Sequence, residues 1–79
     1  MKLIGINFNK KETELLGWLS VCYDNADIKE HYEFLKKYPK VPLILPKHEL
    51  LMLLSLTKHD NRFIDLKLKF ENLEAENVE

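Results

Sequence analysis

From Lys2 to Phe8 the chain alternates, with Ile4, Ile6 and Phe8 on one side and Leu3, Gly5 and Asn7 on the other. That period of two predicts a short extended arm, able to pack across helices, pair with its own copy, or pair with the segment Val41 to Leu45. At Asn9 the period changes to that of a helix. Asn9 followed by Glu12 has the spacing of a capping box, so the first helix should open near Lys10. Leu15, Leu16, Leu19, Cys22 and Tyr23 fall within one arc, while Thr13, Gly17, Ser20 and Asp24 form a row of small or polar side chains. Glycine inside a helix costs about 1 kcal/mol relative to alanine, so Gly17 marks either a close approach by another helix or a solvent-facing row.

A turn at Asp24-Asn-Ala-Asp27 leads into a second helix, whose cap and partner are expected to be Asp27 and Glu30. Its apolar stripe is Ile28, Tyr32 and Leu35, flanked by His31 and Tyr38, and Pro39 ends it. All three prolines lie between Pro39 and Pro46, which predicts a stiff, extended linker. Pro46 suits the opening of a third helix, where its missing amide donor costs nothing. From Leu50 to Leu56 that helix is apolar almost all round. Its polar stripe runs through His48, Ser55 and His59, with Met52 among them. Downstream, Ile64, Leu66, Leu68 and Phe70 alternate like a strand, whereas Phe63, Leu66, Phe70 and Leu73 fit a helical stripe.

An internal repeat chooses between them. Lys10, Glu12, Leu16, Leu19 and Ser20 return about 37 residues later as Lys47, Glu49, Leu53, Leu56 and Thr57. After a slip of one residue, Asp24-Asn25, Ile28 and Phe34 return as Asp60-Asn61, Ile64 and Phe70. The last segment therefore reads as a helix from about Asn61 to Ala75. The fold class expected is all-α: a small four-helix arrangement of two helical hairpins with a short extended N-terminal arm. The alternative is α+β with strands near 2–8 and 63–70. As one domain the chain divides into the arm at 1–8, hairpin one at 9–38, a Pro-rich linker at 39–46, hairpin two at 47–75 and an acidic tail at 76–79.

Composition narrows the function classes. The chain has 79 residues, and 12 basic against 13 acidic side chains give a net charge of −1, far from the basic field of a typical nucleic-acid binder. A lone cysteine cannot close an internal disulfide, and with no signal-like segment ahead of the first helix a reducing cytoplasm is the expected compartment. No apolar run approaches the roughly 20 residues needed to span a bilayer. The histidines and Cys22 lack zinc-ligand spacing, and two glycines cannot build a phosphate loop. No metal, cofactor or catalytic residue is expected. Cys22, on the apolar arc, is expected to be a buried, protonated thiol, and His31 a surface residue.

These properties lead to a small non-enzymatic protein-binding module. The surplus apolar surface of the third helix predicts a protein partner, self-association into a homodimer or larger homo-oligomer, or both. Candidate contact residues are Trp18, an amphipathic ring that either closes the core or anchors an interface. Tyr38, Val41, Leu43 and Ile44 are candidates on the stiff linker, and Met52 on the third helix. The first half, with Gly17, Trp18 and more charge, is the better place for a partner surface. The short length, the Lys, Asn, Ile, Glu and Leu content and the capped helices are similar in style to the small reading frames of bacteriophages and mobile elements in low-GC bacteria. That likeness rests on no motif and implies a regulator or inhibitor acting on a host protein. Two alternatives stand beside it. One is helix-turn-helix-like nucleic-acid binding by Lys58, Arg62, Lys67 and Lys69, disfavoured by the charge. The other is a homo-oligomeric structural component.

Overall fold

The computed structural model describes residues 2–77. The expected acidic tail at 76–79 lies partly outside them, as does the first residue of the arm. The chain runs through β1 (Leu3–Ile6), α1 (Lys10–Cys22), α2 (Ala26–Lys37), β2 (Leu43–Pro46), α3 (Lys47–Lys58), a 3-10 turn (Asn61–Phe63) and α4 (Ile64–Glu76). Among the described residues it is mostly helical, with four α-helices and a small sheet in which β1 and β2 are hydrogen-bonded neighbours. The arm thus finds its partner in the linker. Of the two strands considered in the alternative fold, the first is present and the second is helix.

Two compact units emerge, Gly5–Leu43 and the remainder, and each contains one helical hairpin. In the first, α1 starts where expected. Asn9 accepts from the Glu12 amide at 2.7 Å while Glu12 Oε1 accepts from the Asn9 amide at 3.0 Å, closing the capping box. The buried face of α1 is Leu16, Gly17, Leu19 and Ser20. It is turned toward the small-residue row and away from the expected arc, so Cys22 and Tyr23 are exposed. Gly17 explains the rotation. A Cβ there would stand 2.6 to 2.7 Å from ring carbons of Tyr32, so the α2 ring lies directly against the α1 backbone. Ser20, buried beside it, donates to the Gly17 carbonyl at 2.6 Å, which leaves no unmet hydroxyl.

The connection between α1 and α2 is as short as local chemistry allows. Asp24 takes a left-handed backbone (φ 46°), and the amides of Asp24 and Asn25 return to the carbonyls of Val21 and Ser20 at 3.3 and 3.0 Å. This is a Schellman close in which aspartate replaces the usual glycine. Asn25 then caps α2, accepting from the Ile28 amide at 3.1 Å. The cap therefore falls two residues before the expected Asp27, which instead places its charge in the first turn, where the helix dipole favours it. Ile28 and Leu35 are buried. His31, expected on the surface, is half-buried with its Nε2 enclosed. Beyond α2, Val41 donates to the Tyr38 carbonyl at 3.1 Å, so the linker opens with a turn at Pro39-Lys40 and is extended only from Leu43.

In the second unit Leu50, Leu53, Thr57, Phe63, Leu66 and Phe70 are fully buried. Pro46 sits just ahead of α3 as its N-cap. Thr57, the repeat partner of Ser20, is likewise buried and donates to the Leu53 and Leu54 carbonyls at 3.0 and 3.1 Å. In α4 the register differs from the sequence match: Phe63 is buried where Ile64 was expected, and Ile64 is exposed. Phe63 and Phe70 thus occupy in α4 the positions that Ile28 and Leu35 occupy in α2.

Gly17→Ala is expected to destabilise the protein by about 1–3 kcal/mol despite alanine's higher helix propensity, because the added methyl overlaps the Tyr32 ring. Urea unfolding of Gly17→Ala, Tyr32→Ala and the double variant measures it. Strongly coupled single effects are the expected outcome, and simple additivity would remove the contact as the cause.

Candidate functional site

The first hairpin contains an open groove of about 460 Å³ between the start of α1 and the end of α2. Phe8, Tyr32, Leu35 and Pro39 supply its apolar surface, and Asn9, Lys10, Thr13, Glu14 and Lys36 its polar part. That volume belongs to the class that accepts small ligands or an anchoring side chain. Phe8 and Leu35 are buried beneath it. Tyr32 is held on one side by Gly17 and on another by the Lys36 ammonium, 5.1 Å from its ring centroid.

The groove's charges are two ammonium groups and one carboxylate. Lys10 makes no hydrogen bond or ion pair among the described residues, and Glu14, one turn further along α1, is not paired with it. With Lys N-terminal to Glu, this is the weaker orientation for such a pair. Lys10 also opens α1 at the end where the helix dipole disfavours a cation. Pro39 stops α2 beside these groups and leaves their side of the groove open.

The sequence candidates scatter around this site without forming it. Trp18 and Val21 are 46% and 77% exposed on α1, with exposed Cys22 beside them on the same helical face. This corrects the expected buried thiol: once Gly17 faces α2, Cys22 is carried outward. Tyr38 is exposed, its ring centroid 5.3 Å from that of Phe34 and topped by Lys37 at 5.6 Å. Val41 and Ile44 are exposed, but Leu43 is only 5% exposed, because β2 turns alternate side chains inward. On α3, Met52 is half-buried and Leu51 exposed, while Leu50 and Leu53 are fully covered, so much of the surplus apolar surface expected there is core. None of the six candidates lines the groove.

Comparison with protein-family models, curated proteins and solved structures returns no match for this chain. Its own geometry is what bears on function. Among the described residues no three His, Cys, Asp or Glu side chains gather closely enough to hold a metal ion, and no helix is long and apolar enough to cross a membrane. Arg62, the one guanidinium proposed for phosphate contact, is gripped at both nitrogens by Asp60, Nε to Oδ1 at 2.9 Å and Nη2 to Oδ2 at 2.7 Å. Asp60 also caps the following turn through the Arg62 amide at 3.1 Å. A phosphate would have to displace a bidentate carboxylate there.

What sequence reading missed is the groove itself. Its signals were present as Pro39, which stops α2, and as Thr13 at the repeat position of Leu50. Because Lys10 stands against the α1 dipole with no compensating partner, Lys10→Glu is expected to stabilise the free protein by about 0.3–1 kcal/mol at low salt. Urea unfolding at low and high ionic strength reads this. A loss of stability would mean that the ammonium makes an attractive contact in the folded chain.

Proposed function

We propose that this protein is a non-enzymatic protein-binding module whose receptor site is the groove of the first hairpin. The observation that carries the reading is the combination of a roomy, apolar-floored groove with an uncompensated lysine at its mouth. Apolar surface supplies affinity and fixed charges supply selectivity in such sites. A single groove on a small stable scaffold suits a regulator or inhibitor that sequesters a segment of its target. Catalysis would need a nucleophile or an acid–base pair set against the groove, and its lining offers a threonine, a tyrosine, two lysines and a glutamate with no hydrogen bond joining any two of their side chains.

The test is quantitative capture with wild-type protein and two groove variants, each first shown to be folded. Thr13→Leu fills the groove with the residue the second half already carries at that position, and Lys10→Glu reverses its charge. A protein retained by wild type and by Val21→Ala, but lost about tenfold or more with both groove variants, is the expected result. Retention unaffected by both variants, or loss only with Val21→Ala, would contradict the groove as the binding site.

A further inference from the structure

The open groove has a filled counterpart in the second hairpin. Lys47, the repeat partner of Lys10, donates from Nζ to the Asn77 carbonyl at 3.2 Å and so closes the end of α4 onto the start of α3. Asn77 Nδ2 in turn donates to the Leu73 carbonyl at 2.8 Å. Counted from the paired buried residues Ile28 and Phe63, α4 runs about one turn beyond the point where α2 stops. That extra turn is Leu73-Glu-Ala-Glu-Asn77. At the same level the first half has Thr13 for Leu50, Leu35 for Phe70, and Pro39 where the helix would continue. Two smaller side chains and one missing turn account for the groove.

On the reading that this groove binds a protein, we infer that its occupant is a short acidic segment of a partner protein: an apolar side chain followed within a turn by carboxylates and a terminal carbonyl. The second half shows that make-up in place, with half-buried Leu73 and the Asn77 carbonyl on a lysine. The first half presents the matching lysine with nothing on it, and adds Lys36 on the facing helix. Carboxylates on the occupant meet both ammonium groups, while the apolar side chain covers Phe8, Tyr32 and Leu35. A second copy of this chain is a poorer occupant, since its own Leu73–Asn77 turn is already tied by the two hydrogen bonds above.

The probe is a capped peptide with the sequence of residues 72–77, and its control carries glutamine for both glutamates. Each is titrated into isotope-labelled full-length protein followed by amide NMR. Saturating shifts at Lys10, Thr13 and Lys36 are expected, with binding about tenfold weaker for the glutamine peptide and for Lys10→Glu or Lys36→Glu protein, and weaker at high salt. Equal binding of both peptides would overturn the acidic class while leaving the groove as a binding site. Shifts confined to Lys47 and Asn77, or to neither hairpin, would overturn the inference outright. Groove-dependent self-association would do the same by making a second copy the occupant. The capture experiment judges the groove independently of the peptide.

Discussion

The close approach of Tyr32 to Gly17 is the constraint on which the first hairpin depends. A side chain at position 17 would meet the ring at 2.6 Å, so only glycine lets α2 lie this near the α1 backbone. Several features follow from that contact. It selects which face of α1 is buried and carries Cys22 and Trp18 outward. It also fixes the Tyr32 ring, which forms part of the groove and supports Lys36 above it. The helix propensity lost at Gly17, about 1 kcal/mol, is offset by packing between helices.

The two halves share a plan of strand, helix and helix, and they differ where function is proposed. Hydroxyls at Ser20 and Thr57 occupy equivalent buried positions and are satisfied the same way, by carbonyls of their own helix. The leucine-rich second half completes its hairpin with its own chain. Proline stops the first half one turn short, leaving apolar surface and a lysine to be completed from outside. A small domain has little stability to spare, so an incomplete hairpin beside a complete one is a division of labour between holding the fold and binding.

Much of this was legible in the sequence, where local chemistry decides. The Asn9–Glu12 capping box, the alternation of Ile4, Ile6 and Phe8, the stop at Pro39 and the helical fourth segment all follow from short-range patterns and the repeat. Failures came where helix faces had to be chosen. Leu15, Leu16, Leu19, Cys22 and Tyr23 form the more apolar arc of α1, yet a single glycine rotates the interface toward Ser20. Asn25 and Asp27 are both competent caps, and the left-handed turn at Asp24 selects the earlier one. Ile64 matched Ile28 by residue type, but the 3-10 turn before α4 shifts the register and buries Phe63. The groove was hidden because it arises from what the first half lacks relative to the second.

The central claim is that one hairpin is closed by its own chain and the other is left open. Amine-selective acetylation of the native protein, with site-resolved rates by mass spectrometry, tests it most directly. Lys10 should react markedly faster than Lys47, whose ammonium is held on the Asn77 carbonyl. Equal rates, or a slower Lys10, would show the first groove closed in the free protein and contradict the account.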